Sequence, residues 1–144
     1  MWAVALASCS DPRPEPVVDG VDVVGVSAAG ASGAYTLFVT LRADETGCDR
    51  YADWWEVLTP DGALVYRRIL DHSHPDEQPF ERSGGPVPIG SEEEVVVRGH
   101  LHPDGFGGVA VTGAVDGGWT AFTPEPGWAA AVEDEPPLPA GCLF

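Results

Sequence analysis

All four histidines of the chain fall in two matching pentapeptides, His72-Ser73-His74-Pro75-Asp76 and, 28 residues later, His100-Leu101-His102-Pro103-Asp104. Imidazole is the commonest metal ligand and the side chain that titrates closest to neutral pH. On an extended chain, residues i and i+2 share a face about 6.5–7 Å apart, so His100 and His102 could both reach one ion. Zinc or copper suits imidazole nitrogen, with further ligands from His72 and His74 or from Asp76 and Glu77. The competing reading is turn chemistry. Pro-Asp occurs a third time in Thr59-Pro60-Asp61-Gly62, with no histidine, and the likeness between the two histidine stretches does not extend outward: Arg68 aligns with Val96 and Phe80 with Gly108. Under that reading the histidines bond loop backbone or face water. A pH-sensing or proton-transfer role for the same imidazoles is the third.

Other chemistry is thinner. Asp71-His72-Ser73 holds the residue types of a serine hydrolase, but neighbours on an extended chain point to opposite sides and cannot relay a proton in series. No G-x-S-x-G, H-E-x-x-H or phosphate-binding glycine loop is present. Among 23 acidic residues, some pair will stand at a glycosidase spacing by chance. Trp54 and Trp55 point to opposite faces of a strand. One belongs in the core; the other, beside Tyr51, is a candidate stacking surface for a sugar or a partner side chain. Packing under the long connection that follows is its plainer fate. Arg67 and Arg68 sit among acids, and ion pairs within the protein are their default role.

The elements that must position these groups alternate with a period of two, and no stretch sustains a helical period. Strand-like runs cover 21–26, 35–42, 54–59, 63–70, 94–102, 108–115 and 119–123. In 94–102, Val95, Val97 and Leu101 share the face opposite Val96, Arg98, His100 and His102. Thr59-Pro60-Asp61-Gly62 and His102-Pro103-Asp104-Gly105 have the proline, aspartate and glycine of tight turns and predict hairpins. About seven short strands in about 100 residues predict an all-β fold, an antiparallel immunoglobulin-like β-sandwich over 20–123. Residues 71–90 read as a long connection with little apolar pattern, and 124–144 as an irregular Pro- and Glu-rich tail with Trp128 as an apolar anchor.

The charge balance narrows the partners. Seven cations, all arginine, stand against 23 acids, for a net charge of −16. A field of that sign repels phosphate backbones, so nucleic acid is excluded as a partner; the acidic surface serves solubility and suits a saline setting. The three cysteines, Cys9, Cys48 and Cys142, form no C-x-x-C pair, which excludes a zinc ribbon or a thioredoxin-like motif. Cys9 ends a short apolar run, Trp2 to Ala7, in the sequence Leu6-Ala7-Ser8-Cys9. This resembles the lipobox of bacterial lipoproteins, which implies that residues 1–8 are a truncated signal segment, that Cys9 carries the lipid, and that 9–19, with prolines at 12, 14 and 16, is a stiff tether. No cation precedes the run, which departs from the signal pattern, and a chance match in a buried N-terminal strand is the alternative. The lipobox reading places the chain where disulfides persist and leaves Cys48 and Cys142 either paired or as two free thiols. Pairing would close a loop of about 95 residues, worth up to roughly 4–5 kcal/mol in the chain-entropy model.

The segment from Asp53 to Pro86, DWWEVLTPDGALVYRRILDHSHPDEQPFERSGGP, is similar to exported bacterial proteins of an uncharacterised family. The resemblance covers about a quarter of the chain and implies export. Together these readings predict a lipid-anchored module of the cell envelope, on the periplasmic or extracellular side. It meets the membrane through its N-terminal lipid, binds an unidentified protein or carbohydrate, and uses no cofactor. The alternatives are a zinc- or copper-binding protein built on the His-x-His pairs, and a hydrolase using histidine and carboxylates of the 71–90 connection.

Overall fold

The computed structural model describes residues 19–144, and they form two antiparallel sheets packed as a sandwich. In chain order the strands are β1 (Val21–Ala29), β2 (Tyr35–Ala43), β3 (Tyr51–Leu58), β4 (Leu64–Ile69), β5 (Phe80–Val87), β6 (Val95–His102), β7 (Ala110–Ala114) and β8 (Gly118–Phe122), followed by a 3-10 helix, Ala130–Asp134. One sheet has the order β1-β2-β5, the other β4-β3-β6-β7-β8. The Leu6-Ala7-Ser8-Cys9 sequence and the proline-rich stretch up to residue 18 lie outside the described residues.

The inner faces follow from the alternation. Leu37, Val39 and Leu41 of β2 are fully buried while their neighbours are only partly so. They meet Trp55 and Val57 of β3, Val95, Val97 and Leu101 of β6, and Phe80, Val87 and Ile89. Removing one tryptophan of about 150–250 Å² from water is worth roughly 4–6 kcal/mol of transfer free energy, which makes Trp55 a main contributor. Both expected hairpins are present. Thr59 accepts from Gly62 N at 2.9 Å and its Oγ1 from Ala63 N at 3.0 Å; Gly105 N donates to Leu101 O at 2.6 Å.

The seven expected strands are joined by an eighth. Phe80–Val87, inside the expected connection, pairs with β2 from Tyr35↔Val87 to Leu41↔Phe80. Its apolar signal is confined to its two buried ends, Phe80 and Val87. Between them Gly84 presses its backbone beneath Tyr66 and Trp55: a Cβ there would stand 2.7 Å from the Tyr66 hydroxyl oxygen and 3.0 Å from Trp55 Cζ2. Where the backbone itself is the packing surface, no side-chain pattern announces a strand.

β3 and β6 differ from the rest in being buried along nearly their whole length, on both faces. One face meets the other sheet. The other is covered by residues 124–144, which cross the five-stranded sheet and return to the 71–73 connection, where Leu143 N donates to Asp71 O at 2.7 Å and Ser73 N to Phe144 O at 2.9 Å. Cys48 and Cys142 are joined in a disulfide across 94 residues, which staples this covering segment to the body.

Replacing both Cys48 and Cys142 by alanine is expected to lower stability by up to about 4–5 kcal/mol, read from urea unfolding. Limited proteolysis should then cut within 124–144 before it cuts the strands.

Candidate functional site

The outer face of the five-stranded sheet carries a row of buried polar residues, Arg67, Glu56, Arg98 and His100, set by register. Glu56 of β3 lies directly opposite Arg67 of β4 on one side and Arg98 of β6 on the other, at the short cross-strand distance that lets side chains meet. Its carboxylate is fully buried. Oε1 accepts from Trp54 Nε1 at 2.6 Å and from Arg67 Nε at 2.8 Å, and Oε2 from Arg98 Nε at 2.9 Å. The remaining guanidinium donors turn to the covering segment. Arg67 Nη2 donates to Val132 O at 2.6 Å and Nη1 to Pro137 O at 3.0 Å and to Glu135 O. Arg98 donates to Trp128 O at 3.0 Å and Ala129 O at 2.8 Å. A proline-rich segment has no strand to pair with, so its buried carbonyls need donors from elsewhere, and arginine offers five. Burial first, and the charge of Arg67 after it, hold the Arg98 pKa below its ordinary value, with Glu56 acting the other way. Aromatic rings complete the enclosure: Arg67 lies 4.2 Å from the Trp54 ring centroid and Arg98 3.4 Å from that of Phe106.

His100 stands one step along the same face. It lies opposite Trp54, with the rings stacked at 3.6 Å. A bulge between Ala52 and Trp54 interrupts the register, and Asp53 within it meets His100 Nδ1 at 2.6 Å. The other ring nitrogen, Nε2, lies 3.3 Å from Glu133 Oε2 of the 3-10 helix. The imidazole thus bridges two carboxylates and ties the covering segment to the sheet.

Beside this row lies a cleft of about 520 Å³. It is floored by Arg98 and Gly99, walled by Phe106, Gly107–Gly108, Pro124, Pro126 and Trp128, and rimmed by Asp104, Glu125 and Glu133. The glycine wall is packed on the backbone where the described chain begins. A Cβ on Gly108 would stand 2.0 Å from Val21 O, and one on Gly107 3.0 Å from Asp19 O. Val23 N donates to Val109 O, and Val109 N to Asp22 Oδ1, each at 2.8 Å.

The residues expected to act do not gather there. His100 and His102 share the outer face of β6 as expected, but His100 has both nitrogens engaged and His102 is exposed beside Tyr51, 5.5 Å ring to ring. His72 and His74 stand on the connection after β4, and β3 separates β4 from β6, about two strand spacings or 10 Å. Among the described residues no three His, Cys, Asp or Glu side chains are grouped to hold a metal, Asp76 and Glu77 included. The four-histidine site for zinc or copper is therefore not assembled. His72 pairs with Asp71 at 2.8 Å, and the His74 ring stacks on Phe80 at 4.1 Å. Trp54, Trp55 and Tyr51 are 2%, 0% and 3% exposed, so none offers a stacking surface. β3 is an interior strand of its sheet and buried on both faces, and Trp54 is enclosed by Arg67, His100 and Phe106 rather than by the connection. Arg67 forms the internal ion pair expected of it, whereas Glu56, Arg98 and Asp53 were not singled out beforehand. The signal for them was β3 itself, where charged residues alternate with large apolar ones on what should have been a solvent face.

No protein-family model and no solved structure matches the chain. It is similar to a protein from Halomicrobium mukohataei described as "Putative lipoprotein", at 43% identity over 110 residues, which is 74% of this chain and 53% of that protein. The chain thus spans about half the length of the curated relative it matches.

Glu56→Gln removes the negative charge shared by two buried guanidinium groups and is expected to cost about 3–5 kcal/mol, measured by chemical unfolding. Replacing Glu56, Arg67 and Arg98 together by apolar residues should not restore that stability, because the carbonyls of 128–137 lose their donors.

His74 gives a second expectation. Burial first, then the charges of Arg82 and His72, hold its pKa below 6.5, with Glu77 opposing them. Between that lowered value and 6.5 the unfolded chain binds a proton that the folded chain does not. Its contribution to stability is therefore full above about pH 6.5 and declines as the pH falls through the window. Unfolding temperatures of the wild type and His74→Leu should diverge on acidification below about pH 6.5, the wild type losing more.

Proposed function

We propose that the chain is a lipid-anchored module of the cell envelope, exposed on the extracytoplasmic side, that acts by binding rather than by catalysis. The observation that carries this reading is the similarity to a protein described as a lipoprotein, joined to Leu6-Ala7-Ser8-Cys9 near the start of the sequence. In this reading Cys9 is acylated and the segment up to residue 19 is the tether. The Cys48–Cys142 disulfide suits a compartment where disulfides persist. The two antiparallel sheets, with β1-β2-β5 packed on β4-β3-β6-β7-β8, support a reading as an immunoglobulin-like sandwich, a scaffold that presents its loops and sheet ends to partners.

The cleft between residues 104–108 and 123–133 is the binding surface in this proposal. Rings and prolines supply apolar walls, and Asp104, Glu125 and Glu133 supply a negative rim. A neutral or basic group of a carbohydrate or protein partner fits that combination, and an anionic one does not. The buried polar groups nearby support a non-catalytic role: Glu56 is engaged by Trp54, Arg67 and Arg98, and His100 by Asp53 and Glu133, so they hold the fold.

Cys9→Ser is expected to move the protein from the membrane fraction to the soluble fraction and to abolish labelling by a radioactive fatty acid. Unchanged fractionation and labelling would overturn the lipid anchor.

A further inference from the structure

The His72-Ser73-His74 stretch contributes nothing to the cleft on the outer face, yet it borders a different recess. β4 and β5 belong to different sheets and flank one open side of the sandwich. Arg68 of β4 bridges that side, with Nε donating to Ser83 O at 2.7 Å and Nη1 to Ile69 O. Arg82 of β5 donates through Nη1 to Glu81 O at 2.6 Å and lays its guanidinium 5.4 Å from the Phe80 ring centroid. These bonds leave Nη2 of each arginine for a ligand. Arg68 and Arg82 line a recess of about 310 Å³ together with His72, His74, Leu70 and Asp71. It adjoins a shallower one bordered by Ser73 and Phe144. Two of the chain's seven cations and two of its four histidines thus face one small space on a protein of net charge −16.

A second observation points the same way. Ser73 Oγ and His74 Nδ1 are buried and have no hydrogen-bond partner in the protein, and the His74 side chain is only 9% exposed. Buried polar atoms without a protein partner are uncommon and point to a ligand or ion. The carboxylates nearby are turned to other groups. Asp71 pairs with His72 Nδ1 at 2.8 Å, and Glu77 lies 3.8 Å from Arg82 Nη1. Glu45 lies beneath the ring, 3.9 Å from His74 Nδ1, where it accepts from His74 N and Gln78 Nε2. Asp76 stands on the border of the shallower recess.

We propose that this recess binds a tetrahedral oxyanion, a sulfate- or phosphate-type group either free or on a lipid headgroup, held by Arg68 and Arg82 beside the His74 ring. Planar guanidinium groups match such oxygens in pairs. Burial first, then the charges of Arg82 and His72, lower the His74 pKa. A bound dianion offsets the charges of those neighbours, so His74 takes up a proton as the anion enters and affinity rises as the pH falls. Glu45 and Glu77, which face the same ring, act in the same direction and do not reverse it.

The test is titration calorimetry on the whole chain with sodium sulfate, whose charge is constant across the range, and with inorganic phosphate. Saturable binding of both is expected, with sulfate tighter at about pH 5.5 than at about pH 8. Arg68→Gln and Arg82→Gln should each weaken it at least about tenfold. Arg42→Gln, at a guanidinium paired with Asp22, should leave it unchanged, and His74→Asn should flatten the pH dependence. Thermal unfolding of each variant separates loss of site from loss of fold, and half-exposed Arg82 keeps the test available if Arg68→Gln fails to fold. Absence of saturable binding, or equal binding in all the arginine variants, would overturn the proposal. The source of the oxyanion is read with Cys9→Ser protein and neutral liposomes with or without phosphatidic acid. Sedimentation that needs phosphatidic acid and Arg82 assigns the headgroup, whereas calorimetric binding without it assigns the free anion.

Discussion

Arg67, Glu56 and Arg98 form a line across three strands, and the architecture of the outer face depends on that line. Two guanidinium groups and one carboxylate cannot be taken out of water cheaply. They are tolerated because the Nη atoms of both arginines donate to carbonyls of a segment that has no strand of its own. Charge and cover therefore require one another. Without residues 124–144 the ions would face water and contribute little; without the arginines the covering segment would bury carbonyls with no donor. The His100–Glu133 contact acts within the same stretch, and the disulfide at Cys142 further along it.

This mutual requirement also explains why β3 is so apolar and yet so charged. A strand in a two-layer sandwich normally alternates, with one face dry and the other wet. β3 is instead buried from Tyr51 to Leu58, because a third layer, thin and irregular, lies on what would have been its wet face. Trp54 then serves as a flat partner for a guanidinium group rather than as a stacking surface for a ligand.

Much of the fold could be read before the structure was known, because period-two alternation and x-P-D-G turns are local signals. Seven strands and both hairpins followed from them. The Cys48–Cys142 pair rested instead on the lipobox resemblance that set Cys9 apart, with two free thiols as the alternative. β5 did not follow from local signals, because a strand that packs through glycine backbone leaves no apolar trace in between. The site was less legible still. Two His-x-His pairs share a face locally, but whether they meet depends on strand order, and β3 stands between them. The row on the outer face was hidden for the opposite reason. Its charges looked like solvated surface, since nothing in a Pro- and Glu-rich tail says which strands it will cross.

The glycine wall of the cleft has a mechanical meaning. Asp19 and Gly20, just ahead of β1, lie with their backbone against Gly107 and Gly108, and the bonds to Val109 lock β1 to the start of β7. Tension applied from the N-terminal side is therefore borne first by the lip of the cleft, not by a remote corner of the sandwich. A module pulled from that end would deliver the load directly to the cleft proposed to hold its partner.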